Sequence, residues 1–363
     1  MPIQTVSQAF SNEGIGGFTF RNRIINGAME IDQRNSGSSV AIASGGFPFT
    51  LDRFRSDNST DGAITVQRVT DAPTGFVNSM KYTVTTADAS LASTQYLGLN
   101  HFIEGFNTAD LMWGTALAKT ITISFWVKSS ITGNYPVSFD NNAADRFYIG
   151  QYSINSANTW EYKTVTIAGD TSGTWLTDNE RGVNVRWFLG SGTGWEASAN
   201  SWQSGAKYTF SGAASVIGTL NATWQITGVQ FEVGSAATSF ERRPYGMELA
   251  LCQRYFFNVG GQVYSSPSIG GTAYSTNWCF GLIKSPVTMR AMPTFTKTGN
   301  WNWNDYNAVN ISTGALTFTS TSSTLDAFWV ASHGTSSGLT QLQAYFLTAG
   351  NDATARLSFS AEL

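Results

Sequence analysis

The chain has 363 residues, long enough for two domains with ordinary cores. Only 12% of its residues are charged while 13% are aromatic, so Ser, Thr, Asn and Gly must cover most of the surface, which suits short strands joined by turns. A net charge of -3 with no run of Lys and Arg leaves no face for a nucleic-acid backbone, and no stretch approaches the ~20 apolar residues of a membrane span, so neither nucleic acid nor membrane insertion is expected.

Residues 1–17 are polar, punctuated by glycine and aperiodic, the character of a docking arm that orders on a partner. They lack the basic start and apolar stretch of a signal peptide, so synthesis in the cytoplasm is expected. Phe18 to Asp32 alternates apolar and polar residues around Asn26-Gly27 and reads as a first strand with a turn or bulge. Further short strands are predicted at Ile64–Val69, Met80–Thr85, Ile121–Lys128, Trp160–Ile167, Val183–Leu189 and Tyr208–Phe210, with a short helix near Thr108–Trp113. Strands at this spacing without helical periodicity between them give an antiparallel β-sandwich over residues 18–242.

From Thr223 the character of the chain changes. Trp224, Ile226, Val229, Phe231 and Val233 nearly alternate with polar residues, the pattern of a half-buried strand. Pro244 then has its φ preset for a first helical turn, and Met247–Phe257 reads as the one convincing helix, in a linking segment over residues 243–258. Its apolar residues point almost all the way round. One chain covers part of such a helix and neighbouring copies the rest, so Met247, Leu249, Leu251, Tyr255 and Phe256 are the predicted trimer interface. Residues 259–363 carry a second group of strands, near Gln262–Tyr264, Trp278–Leu282, Thr294–Thr298, Leu316–Thr319, Ala327–Ala331, Leu342–Leu347 and Ala355–Leu363, and form a C-terminal β-sandwich. The fold class is all-β.

Chemical motifs are sparse. His101 and His333 are the only histidines and fall in different predicted domains; no Cys/His spacing fits zinc, and Cys252 and Cys279 read as small packing residues. Gly190 to Gly194 lacks the Lys-Ser/Thr of a phosphate loop, and Asp140, Asn141, Asn142 and Asp145 read as a turn. Asp178 and Glu180 have no accompanying motif for glycoside cleavage, so no catalytic residue is assigned and no enzyme is expected. Trp301, Trp303 and Tyr306 lie among Asn300, Asn302 and Asn304, and rings flanked by amides suit a sugar, whose faces are apolar and whose edges carry hydroxyls. Trp301 and Trp303 also share a face of an extended strand, which equally fits a core. Trp195 and Trp202 form a weaker candidate of the same kind.

Several phrases resemble those of tailed-bacteriophage fibre and tail-tip proteins, in the same order: NRIINGAMEIDQRN, the Leu51-Asp52-Arg53-Phe54 run, ITISFWVKSS, NTWEYKTVTIAGDTSGTW, ITGVQFEVGSAATSFERRPYGMELALCQRYFF and the terminal LSFSAEL. The resemblance covers about Asn22 to Phe257 and implies that the first domain is a jelly roll similar to carbohydrate-binding modules. It further implies a virion structural protein of the tail, homotrimeric, partnered by tail or baseplate proteins, with a host-facing C-terminal domain that binds a cell-surface glycan. Head decoration without a receptor role and a glycan-cutting tailspike are the alternatives. Related modules hold a structural calcium with an acid after the first-strand Asn-Gly and an Asp pair in the last strand. Here Ala28 and Ile226-Thr227-Gly228-Val229 stand at those places, with Glu30 and Asp32 still near, so no cofactor is expected and a structural calcium is the alternative.

Overall fold

A computed structural model describes residues 20–268, 270–305, 310–333 and 338–363. The predicted arm over residues 1–17 and Tyr306 lie outside the described residues. The chain is almost wholly β, in antiparallel sheets.

The first body contains β1 (Val40–Ile42), β2 (Phe49–Leu51), β3 (Phe54–Asn58), β4 (Ala63–Val69), β5 (Ser79–Thr86), β6 (Tyr96–Glu104), β7 (Ile121–Ser129), β8 (Gly133–Asp140), β9 (Arg146–Ile154), β10 (Glu161–Ile167), β11 (Arg181–Ser191), β12 (Trp202–Ser204) and β13 (Thr223–Val233). A six-stranded sheet in the order β1-β4-β5-β13-β7-β10 faces a seven-stranded sheet in the order β12-β9-β8-β11-β6-β3-β2. Alternation explains the pairing of the layers: Ile121, Ile123, Phe125 and Val127 of β7 point inward against Val183, Val185, Trp187 and Leu189 of β11. Phe125 and Trp187 meet edge to face at 5.8 Å.

Helix α1 (Tyr245–Gln253) follows, then β14 (Phe256–Gly260), β15 (Gly271–Ser275), β16 (Trp278–Lys284), β17 (Thr294–Thr298), β18 (Trp301–Asn304), β19 (Asn310–Ser312), β20 (Thr317–Phe318), β21 (Ala327–His333), β22 (Ala344–Ala349) and β23 (Arg356–Ser360). These strands form a three-stranded sheet, β14-β23-β17, and a seven-stranded sheet, β19-β18-β22-β15-β16-β21-β20. Phe257, Phe328 and Phe359 stack in the core between them.

Five expectations are corrected. The segment predicted as a first strand contains no strand among its described residues. Asn26 and Met29 take left-handed φ, and the Asn26 side chain bonds to the backbone of Ile31 and Asp52, which closes a loop instead of extending a ladder. The predicted strand at Tyr208–Phe210 is reduced to a single bridge from Thr209 to Glu196, and Gln262–Tyr264 is a turn, with Tyr264 at φ 59°. At Thr108–Trp113 there are only short 3-10 turns. The helix ends at Gln253 because Phe256 and Phe257 gain more as ladder partners of Ser360 and Phe359 than as a last helical turn.

That early ending changes the reading of the predicted trimer face. Tyr255 is 0% and Phe256 5% exposed, covered by this same chain and so not available to neighbouring copies. Cys252 and Tyr255 join Ile25, Ile31, Phe102 and Leu363 in a small third core between the two bodies. Met247, Leu249 and Leu251 stay half-buried. Around this core Arg53, 1% exposed, lies 3.5 Å over the Tyr255 ring, donates to the Phe102 carbonyl and pairs with Glu362, which also accepts from Arg34 at 2.8 Å. Arg254 bonds Glu104 at 2.6 Å, and Arg290 donates to the Asn179 carbonyl at 2.7 Å. The two bodies are therefore joined by charge as well as by apolar packing.

Candidate functional site

The aromatic cluster predicted in the second body is core. Trp301 is 1% and Trp303 0% exposed, with their indole N–H groups donating to the Thr298 carbonyl at 3.0 Å and to Ser332 Oγ at 2.7 Å. Trp-Asn-Trp-Asn is a strand paired on both sides, and its aromatic face points inward. Neither ring offers a face to a sugar. Asn302 and Asn304 are half-buried on the opposite face of β18.

A different aromatic and polar surface lies on the outer face of the seven-stranded sheet of the first body. Because Val183, Val185, Trp187 and Leu189 point inward, Asn184, Arg186 and Phe188 of β11 point outward. Register places Arg186 between Asn100 of β6 and Ser138 of β8, and Asn184 between Phe102 and Asp140; Asn100 in turn faces Arg55 of β3. Arg186 forks onto Asp140 at 2.6 and 3.0 Å and donates to Asn100 Oδ1 at 3.0 Å. Asn184 Nδ2 also donates to Asp140, at 2.8 Å, and Arg55 is bidentate to Asp57. Burial alone would lower the Arg186 guanidinium, but Asp140 outweighs it and holds the group above its ordinary range.

Four rings adjoin this polar row. Tyr96 touches Phe188 at 5.2 Å and Trp195 at 5.5 Å, while Tyr208 stacks on both Phe188 and Trp195 at 5.4 Å. Tyr96 and Trp195 remain half-buried, and the Arg186 guanidinium lies 4.8 Å over Tyr208. Burial, with Asp140 adding to it, pushes the Tyr208 hydroxyl up to about 12, so it stays protonated as a donor. Ser138 Oγ and Asn184 Oδ1 are enclosed without a hydrogen-bond partner among the described residues. Phe188, Tyr208, Asn100 and Asn184 are buried beneath this strip, so what a sugar can reach is the Tyr96 and Trp195 rings, for its face, and the half-buried Arg186 and Arg55 guanidinium groups, for its edge.

Two further depressions exist on the first body. One, of about 340 Å³, is lined by Trp113, Trp175, Leu111, Met112, Thr108 and Thr177, and its two indoles meet edge to face at 4.7 Å. Trp202, the second ring of the weaker sequence candidate, packs behind them rather than beside Trp195. The other, of about 90 Å³, includes Asn26, Gly27 and Ala28, where the resemblance places a calcium. Gly27 and Val229 are indeed adjacent, since the Val229 N–H donates to the Gly27 carbonyl at 2.9 Å. The nearby oxygens do not fit a metal, because Arg243 takes them: it donates to the carbonyls of Asn22 and Ile24 and pairs with Glu248 at 3.2 Å. Among the described residues no group of three or more His, Cys, Asp or Glu could hold a metal ion.

The other residues considered from sequence have structural surroundings. His101 is buried against the backbone of Ile25, and burial, together with the charge of Arg53, keeps it well below its usual range and neutral. His333 packs edge-on to Trp278 at 4.8 Å. Glu180 pairs with Arg290, and Asp178 accepts the Glu180 N–H. Both cysteines are free and buried.

Comparison with known protein families and with curated proteins gives no match. Among solved structures, the chain is similar to the enzymatically active domain of tailspike protein 4 of bacteriophage CBA120, at 9% identity and a TM-score of 0.31, over 59% of this chain and 22% of that one. It thus spans under a quarter of that relative's length. It is also similar to a family 61 carbohydrate-binding module in complex with β-1,4-galactotriose, at 9% identity and a TM-score of 0.28 over 60% and 99% of the two chains. A third is a family 11 carbohydrate-binding module from Clostridium thermocellum in complex with a β-1,3-1,4-mixed-linked tetrasaccharide, at 14% identity and a TM-score of 0.27 over 56% and 100%. The fold assignment rests on the sheets themselves.

Proposed function

We propose that this chain is a non-enzymatic structural protein of a bacteriophage virion, a tail fibre or tail-tip component, that binds a glycan on the host surface. One observation carries the binding part: the half-buried rings of Tyr96 and Trp195 touch each other on the same sheet face as the half-buried guanidinium groups of Arg186 and Arg55, backed by the buried Phe188, Tyr208, Asn100 and Asn184. The first body supplies this surface, since the aromatic pair of the second is enclosed. The virion part is supported by the ordered phrases from Asn22 to Phe257 that resemble phage fibre and tail-tip proteins. A trimer, with Met247, Leu249 and Leu251 toward the axis, would multiply weak single sites into firm adhesion.

The test is adsorption of the purified protein to host cells and to their extracted surface polysaccharide. Trp195→Ala, at a half-buried position in the 3-10 turn Thr193–Trp195, is expected to keep the melting temperature within a few degrees and to lose most adsorption. Unchanged adsorption would remove the strip from the function. Release of reducing ends from the polysaccharide would replace this reading with a depolymerase, and full infectivity of particles lacking the protein would favour head or tail decoration.

A further inference from the structure

Arg181 stands out at the far end of this surface. It opens β11, is half-buried, and makes no side-chain hydrogen bond or ion pair among the described residues. Three guanidinium carbons surround one ring there: those of Arg181, Arg55 and Arg186 lie 4.3, 4.7 and 5.9 Å from the centroid of Phe102. The carboxylates in reach are committed elsewhere. Asp57 is held by Arg55 and Asp140 by Arg186. Glu104, opposite Arg181 in the ladder, accepts from Arg254 and Tyr255, and Glu180 pairs with Arg290 across the junction. Two of the three arginines are thus neutralised and one positive charge remains. Burial, and next the charges of Arg55 and Arg186, lower the Arg181 guanidinium, as a cation crowded by cations requires.

We propose that Arg181, flanked by Arg55 and Arg186, is a subsite for the carboxylate of an acidic sugar. This rests on the glycan reading above and specifies the ligand: a chain of sugars with a uronic acid at the Arg181 end and a neutral ring face at the Tyr96 end. Tyr96 and Phe102 are six residues apart on β6, roughly 20 Å at ~3.3 Å per residue, so the two ends suit an oligosaccharide rather than a single sugar. A guanidinium fork matches a carboxylate in two parallel N–H···O bonds, and here its desolvation is already partly met by burial and by the Phe102 face.

Calorimetric titration of the full chain with tetragalacturonate, and with the same oligosaccharide after carboxyl reduction, tests this. Tetragalacturonate is expected to bind at least tenfold more tightly than its reduced form, with a preference that falls as salt is raised. Arg181→Gln should abolish the preference and leave the affinity for the reduced form unchanged, whereas Arg181→Lys, which keeps the charge, should retain part of it. Equal affinity for the two forms, or an undiminished preference in Arg181→Gln, would overturn the subsite and leave the neutral-glycan reading standing. If inorganic phosphate binds as tightly as tetragalacturonate, the site takes a bare anion and the sugar-acid assignment falls. Binding of neither oligosaccharide would overturn the subsite together with the strip as a glycan surface.

Discussion

Replacing Trp303 by alanine separates core from binding surface most sharply. The ring is fully enclosed on β18, opposite Leu347 in the ladder and in the same core cluster as Phe257 and Phe328, and its N–H bonds Ser332 Oγ at 2.7 Å. Burying ~150–250 Å² at ~25 cal/mol per Å² is worth about 4–6 kcal/mol, and observed aromatic-to-alanine losses in cores are about 3–5 kcal/mol. For a body of this size a loss of about 4 kcal/mol lowers the melting temperature by roughly 15–30 °C. Scanning calorimetry of wild type and Trp303→Ala reads this directly, with Trp303→Phe expected between them. A variant that melts within a degree or two of wild type while losing host-cell adsorption would refute the placement of this ring and restore it as a sugar contact.

Other expectations follow from the junction and the helix. Glu362→Ala leaves Arg53 buried without its counter-charge, and should destabilise the docking of the two bodies by about 3–5 kcal/mol, seen as faster hydrogen exchange over residues 22–34 and 247–256; unchanged exchange would refute the clamp. Burial pushes the Asp52 carboxyl from 3.8 up to about 6, against the lowering effect of Arg34 and Gln33. Since the folded pKa exceeds the unfolded one, the folded chain takes up a proton first, and stability falls as pH rises from about 4 to about 6, by up to roughly 1.4 kcal/mol per unit. Denaturant titrations of wild type and Asp52→Asn across that range should show a difference that changes with pH, and a constant difference would contradict the shift. Leu251→Asp puts a carboxylate on the half-buried helix face; if the chain is trimeric about α1, light scattering should show trimers dissociating to monomers, whereas a monomeric wild type ends the trimer proposal.

The parts of the fold legible in the sequence were those with strong alternation. β7, β10, β11 and β13 could be read because one face of each is apolar and the other carries mostly polar residues, Thr, Ser, Lys or Gln in β7, β10 and β13 and Asn184 and Arg186 in β11. β6, YLGLNHFIE, was not legible, because eight of its nine residues are buried on both faces and no period of two survives. β8 and β9 were hidden by Pro136 and by the glycine at 150, which sits so close to Val165 that a side chain would collide. The candidate site depends on those same strands. Nothing in sequence pairs Arg186 with Asp140 or leaves Arg181 without a partner; only the register of β11 with β6 and β8 does so. Trp301 and Trp303 carried an alternation consistent with both core and contact, and only the core that covers that face of β18 decides between them.

The position of β13 bears on how the molecule is made. In the six-stranded sheet, β5 and β7 touch only through β13, and residues 23 and 27 are tied to its far half by the Arg23–Phe231 and Val229–Gly27 backbone bonds. A nascent chain therefore holds two separate half-sheets, each with an open edge, until the strand that joins them leaves the ribosome. At ~5–20 residues per second the wait between Ser129 and Val233 is on the order of ten seconds, long compared with the time needed for edges to pair wrongly. Fragments ending before Thr223 should aggregate, while those reaching past Val233 should give a soluble first body, so the length of the translated chain, more than any single contact, sets when this protein becomes safe from itself.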